Sequence, residues 1–206
     1  MVFFLALVQV HVLHIAFEKL GLSPETALLL LFGSLLGSMV NIPLFRLRSR
    51  KPIQYIELPR WGRIWQFPQP FPEGRTVIAV NLGGCIIPVG LCIYFLAMGL
   101  VDPVKLVIAV FLITVLCYLI ARPIPGLGIG MPVFLAPLAS VIIALLLSPS
   151  SAAHLAYTCG VLGVLLGADV LHLKDVKQLG APIASIGGAG TFDGIFVTGV
   201  VAALLA

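Results

Sequence analysis

The sequence predicts an all-α fold, a polytopic transmembrane helix bundle of about seven spans. Three observations carry this. The chain of 206 residues is 60% hydrophobic and only 10% charged, too little charge to cover a soluble surface. Its apolar residues come in blocks of roughly 20, the length that spans a bilayer core. The basic residues gather in a few connections instead of spreading along the chain. The ten-residue alternation of a membrane β-barrel is not seen. Residues 1–206 are read as a single integral membrane domain with a basic loop at 44–75. Glycine and proline break the apolar runs near 81–88, 122–132 and 186–193.

The first apolar run covers residues 1–17 and holds His11 and His14, which share a helix face by their i, i+3 spacing. It lacks the basic start and small-residue cleavage site of a signal peptide, so it is read as a short helix. Ser23 is a good N-cap and Pro24 a good first helical residue, which starts a second helix running to about Val40. Gly33, Ser34, Gly37 and Ser38 form a small-residue stripe that lets helix backbones approach closely in lipid. Asn41-Ile42-Pro43 ends that helix.

The 44–75 connection carries Arg46, Arg48, Arg50, Lys51, Arg60, Arg63 and Arg75 against Glu57 and Glu73. By the positive-inside rule it faces the cytoplasm. Its Trp61, Trp65, Phe67 and Phe71, set among prolines, suit the headgroup region of an anionic leaflet. Basic residues among aromatics also fit nucleic acid, but the apolar composition excludes that reading.

The third helix is expected from Thr76 to about Leu100, weakened by Asn81, Gly83, Gly84 and Pro88. Backbone groups freed there must find partners in protein or in a water-lined cavity. Asp102-Pro103 turns the chain into a fourth helix ending near Ala121. Arg122 to Pro132 holds too much proline and glycine for a regular helix and reads as a loop or re-entrant segment. Its G-x-G-x-G lacks the following Lys-Ser/Thr of a phosphate loop. The fifth helix is expected over Val133 to Leu147. The sixth covers Ala152 to Leu173, with Gly160, Gly163 and Gly167 on small faces, and the last runs from Pro182 to the end, interrupted at Gly187 to Gly190. With the basic loop inside, the N-terminus is cytoplasmic and the C-terminus outside. All Lys and Arg except Lys19 and Lys105 then lie on the cytoplasmic side of the cell membrane.

The strings V-N-L-G-G-C-I-I-P (Val80 to Pro88), R-P-I-P-G-L-G-I (Arg122 to Ile129), L-G-A-D-V-L (Leu166 to Leu171) and A-P-I-A-S-I-G-G-A-G-T-F-D-G-I-F (Ala181 to Phe196) resemble those of domain-of-unknown-function family 1614. That is a family of uncharacterised prokaryotic integral membrane proteins. The resemblance covers roughly residues 76–206. It implies a multi-pass membrane protein and no mechanism.

The chemistry must come from the residues. Ionisable groups inside spans are costly, and each is a functional-site hypothesis. Asp169, with His172 three residues on, lies near the end of helix six. Asp193 lies about 11 residues into the last segment, on the order of 16 Å if wholly helical. If Gly187, Gly188 and Gly190 unwind that segment, the two carboxylates are drawn to one depth. Three readings follow. In the favoured one Thr191 caps a final half-helix and the dipole keeps Asp193 ionised. That half-helix and the Asn81 to Pro88 break then form the two discontinuities of a cation- or proton-coupled transporter. In the second, Asp169 and Asp193 share one proton, as in di-aspartyl intramembrane proteases. The chain departs from those enzymes, because Gly167-Ala168-Asp169 lacks the Gly-x-Gly-Asp pattern and no Pro-Ala-Leu motif is present. In the third, Asp193 bonds its own glycine turn, Asp169 pairs with His172 or nearby lysines, and the protein is a non-catalytic scaffold. The partners admitted are the lipid bilayer, a cation or proton, and a second copy of the chain. No cofactor is expected. No metal is expected either, since Cys85, Cys92, Cys117 and Cys159 sit in apolar runs without ligand spacing.

Overall fold

The structure, a computed structural model, describes residues 15–48, 75–124, 128–178, 183–188 and 194–206. Helix accounts for 68% of the described residues, in seven helices. After a helical stretch at 15–19, α1 spans Pro24–Gly37. It starts where the sequence says, with Ser23 Oγ accepting from the Thr26 N–H at 3.3 Å. It stops at Gly37, short of Val40.

The chain is not the purely helical one that its composition predicts but carries two small sheets. β1 (Asn41–Arg48) and β2 (Arg75–Asn81) pair antiparallel, and β5 (Ile183–Ile186) joins β2 in parallel. The third helix therefore begins at Leu82 and not at Thr76. Thr76, Val77, Ile78 and Val80 are β-branched, and that stiffness suits a pleated surface better than a helix. Pro43 has no N–H to give the ladder, and the register of β1 slips between Pro43 and Phe45. The inner face of the sheet presents Thr76 and Ile78, and Ile78 packs with Val176, Leu47, Ala184 and Ile186.

A π-helical turn, Leu82–Ile86, leads into α2 (Ile87–Ala97). Pro88 has no N–H to donate, and just before it the turn is wide, with the Ile87 N–H reaching Leu82 O five residues back. α3 (Pro103–Ile120) is capped by Asp102, whose Oδ1 accepts from Val104 N–H at 2.8 Å and Lys105 N–H at 3.1 Å. The Arg122 to Pro132 stretch contains a small hairpin, β3 (Arg122–Ile124) with β4 (Gly128–Gly130). α4 covers Leu135–Leu147. α5 (Ala152–Val164) continues as a second π turn, Leu165–Val170. α6 spans Gly194–Leu205.

Two helices are long and apolar enough to cross a membrane. They are α3, of 18 residues, and the 22-residue run Pro149–Val170 that contains α5. The other described apolar helices are shorter, so α1, with 14 residues, rises only about 21 Å. The seven-span expectation is thus met in part, since strands replace the ends of several expected helices.

The run through α5 is mostly buried and α3 mostly exposed. Glycines let α5 sit at the centre. A methyl on Gly163 would overlap Ile113 of α3, one on Gly167 would overlap the Thr114 carbonyl, and one on Gly160 would press on Thr198 and Ser140. Outside, Leu29, Phe32, Val104, Val107, Phe111, Leu119 and Leu146 are exposed, whereas Ser34, Asn81, Ser140, Thr158 and Thr198 are buried. Many large apolar side chains thus point outward, while the interior takes small and polar residues together with large ones such as Phe95, Tyr157 and Leu155.

One end of the bundle is tied by Lys19 Nζ to Leu204 O (2.8 Å), His154 Nε2 with Leu20 O (3.2 Å) and Lys105 Nζ to Ser148 Oγ (3.4 Å). Both π turns lie toward the other end. That end also holds the three-stranded sheet, the hairpin and the basic residues Arg46, Arg48, Arg75, Arg122, Lys174 and Lys177.

Candidate functional site

The first and third glycine breaks meet. Parallel pairing sets Val80 beside Ile186, and both chains then leave the sheet together. One turns into the first π turn. The other turns through Gly187 and Gly188, at φ +82° and +100°, a region that costs glycine little. The carbonyl of Gly187 lies where a side chain on Gly84 would have to be. On its other side the π turn touches α1, where a methyl on Gly83 would overlap Ser34 O and Ser38 N. The small stripe of α1 and the Gly83-Gly84 pair are two halves of one close contact.

Asn81 locks this seam. Its Oδ1 accepts from Gly84 N–H at 2.8 Å, and its Nδ2 donates to Ser38 O at 2.7 Å and to Asn41 Oδ1 at 3.1 Å. Ser34 Oγ donates to Gly83 O, and Ser185 Oγ donates to Asn41 Oδ1, both at 2.5 Å. The backbone freed by Gly83 and Gly84 therefore finds protein partners, one of the two outcomes that an apolar environment permits. Asn81 is fully buried with each polar atom engaged, which suits a clamp.

Asp169 lies on the second π turn, and its Oδ2 is shielded from solvent. Gly167 brings this turn directly onto Thr114 and Cys117 of α3. His172 is buried. Its Nδ1–H donates to Gly167 O at 3.0 Å, and the ring packs against Tyr118, tilted by 37° with centroids 4.9 Å apart. It thereby closes the wide turn against α3. Sequence reasoning missed two hydroxyls, Thr114 Oγ1 and Thr198 Oγ1, which are buried with no hydrogen-bond partner among the described residues. Thr114 packs on Gly167 of the second π turn and Thr198 on Gly160 of α5, contacts that local sequence does not reveal.

Of the candidate residues, Asn81, Gly187 and Gly188 belong to the seam, while Asp169 and His172 belong to the second π turn. Gly190, Thr191 and Asp193 lie outside the described residues, as do His11 and His14. The residue after Asp193, Gly194, starts α6, and a methyl on it would meet Met131 and Val164 at ordinary van der Waals distance. Val164 is the residue just before the second π turn. The four cysteines are free thiols and buried, and no group of three metal-ligating side chains occurs among the described residues.

A family model described as "Protein of unknown function (DUF1614)" matches residues 35–205. The chain belongs to this family. The match reaches back from residue 76 into α1, and so takes in Gly37 and Ser38, which pack on Gly83. It covers the seam apart from Ser34, and both π turns. No curated protein and no solved structure matches the chain.

Proposed function

We propose that this chain is a multi-pass integral membrane protein that handles a cation or proton at its basic end, with Asp169 and Asp193 as the ion-binding carboxylates. The observation that carries the reading is Asp169, whose carboxylate has a solvent-shielded oxygen on a π turn at the end of the longest apolar helix. Asp169 is half-buried, and an ionisable side chain within an apolar run is a functional-site hypothesis by default. π turns inside α-helices gather at functional sites, since the wide turn frees a carbonyl and re-aims a side chain. The outward-facing leucines, valines and phenylalanines fit lipid on all sides. The basic end is then cytoplasmic by the positive-inside rule. Asp193 directly precedes Gly194, the first residue of α6, in the sequence.

Reconstituted vesicles with an imposed pH or sodium gradient test this. Wild-type protein should dissipate the gradient, and Asp169→Asn and Asp193→Asn should each slow it at least tenfold while keeping the thermal midpoint. Unchanged flux in both variants would contradict the reading.

A scaffold role is favoured by one observation, the saturation of Asn81. A break sealed by its own hydrogen bonds needs no ion. Under that reading Asn81 variants lose assembly in the membrane, and the aspartate variants behave as wild type. A di-aspartyl protease would instead lose cleavage of a membrane-spanning substrate in either aspartate variant.

A further inference from the structure

We infer that the outer face of the three-stranded sheet is a binding site for the phosphate group of an anionic phospholipid, held by Arg46, Arg48 and Arg75. This rests on the membrane reading above.

The register makes the argument. Arg48 lies directly opposite Arg75 in the antiparallel pair of β1 and β2. Directly opposed residues in such a pair have Cβ atoms about 5 Å apart on the same face. Arg46 is two residues before Arg48, so it shares that face. All three are exposed. Like charges set directly opposite repel and weaken the pair. The usual relief is a carboxylate, but β1, β2 and β5 contain none, and no acidic side chain among the described residues pairs with these arginines. On β2 the opposite face is buried, with Thr76 and Ile78 turned into the protein, and Leu47 of β1 packs against Ile78 from the same side. The three guanidiniums therefore project together, away from the core. Arginine presents a planar fork of donors that matches phosphate oxygens in pairs.

The strand also grades from apolar to basic. β1 leaves the end of α1 with Ile42, Leu44 and Phe45 exposed, and the arginines follow at once. At about 3.4 Å per residue, Arg46 and Arg48 lie on the order of 7 to 14 Å beyond Leu44, further from the bundle. Apolar side chains beside acyl chains and guanidiniums one step further out is the order that a lipid headgroup presents.

The test uses the full chain purified in neutral maltoside detergent, with thermal unfolding followed as phosphatidylglycerol, phosphatidylcholine or inorganic phosphate is added. Phosphatidylglycerol should raise the midpoint of the wild type, and phosphatidylcholine should not. In the triple variant Arg46→Gln, Arg48→Gln, Arg75→Gln the concentration needed for that rise should increase about a hundredfold. Without anionic lipid its midpoint should equal or exceed that of the wild type, because the repulsion is gone. A triple variant that responds to phosphatidylglycerol as the wild type does would overturn the site. Inorganic phosphate giving the full rise at equal concentration would overturn the lipid as the ligand. Failure of the membrane reading looks different, since the protein would then wash from membranes in carbonate without detergent, whatever its response to phosphate.

Discussion

Gly84 and Gly187 touch backbone to backbone, and the carbonyl oxygen of Gly187 fills the space that any side chain on Gly84 would need. Two segments about a hundred residues apart in sequence thus share one seam. Gly84→Ala must push β5 away from the first π turn, at about 2–4 kcal/mol for forced backbone overlap. Gly187→Ala adds left-handed strain of about 1 kcal/mol to a clash with Cys85. Gly90 on α2 meets nothing within 4 Å, so Gly90→Ala should stabilise by up to about 1 kcal/mol. Thermal midpoints of the three variants in detergent check the order.

Asn81 should be the most sensitive polar residue of the seam. Asn81→Ala removes three hydrogen bonds and strands the Gly84 N–H and the Ser38 carbonyl, for a loss of about 3 kcal/mol or more. Asn81→Asp keeps the acceptor for Gly84 and loses the donor, so it should also destabilise. Denaturant midpoints of both variants against wild type decide this. An Asn81→Ala variant as stable as wild type would show that the seam is held by packing alone.

The seam was partly legible in the sequence. Ser23-Pro24 and Asp102-Pro103 announced helix starts that the structure keeps, because caps are local chemistry. The Gly33 to Ser38 stripe and the Gly83-Gly84 pair both read as close-packing surfaces, and they pack on each other. The strand Arg75–Asn81 was not legible. A short apolar run fits a strand or a buried helix equally well by periodicity. Its partners, residues 41–48 and 183–186, lie far from it in sequence, and tertiary pairing decided the outcome. The turn that sends His172 onto Gly167 and Tyr118 was hidden too, because i, i+3 spacing places residues on one face only in a regular α-helix.

The second π turn depends on Gly167. A methyl there meets the Thr114 carbonyl and Cys117, so Gly167→Ala should lift Asp169 away from α3. The cost is about 1–3 kcal/mol. Under the proposed function the ion flux falls as well, whereas Gly90→Ala leaves it intact. Flux and thermal midpoint measured on the same preparations separate the two effects.

The cysteines give a solvent-access readout. Cys85, Cys92, Cys117 and Cys159 are buried, and a buried structural thiol is inert. The native protein should take up almost no maleimide in an hour, and all four thiols should react once it is unfolded in dodecyl sulfate. Mass spectrometry counts the adducts. Fast reaction of Cys85 in the native state would mean that the seam opens.

The central claim is a bundle in the membrane with its glycine seam and basic residues on the cytoplasmic side. Its most direct test places single cysteines at Ser150 and Lys174, both exposed and on opposite ends of the bundle, in a chain whose native cysteines are replaced by alanine. A membrane-impermeant maleimide is then added to intact cells. The account predicts labelling of Ser150→Cys in intact cells and of Lys174→Cys only after permeabilisation. Equal labelling of both from outside, or of neither until the cells are opened, would contradict it.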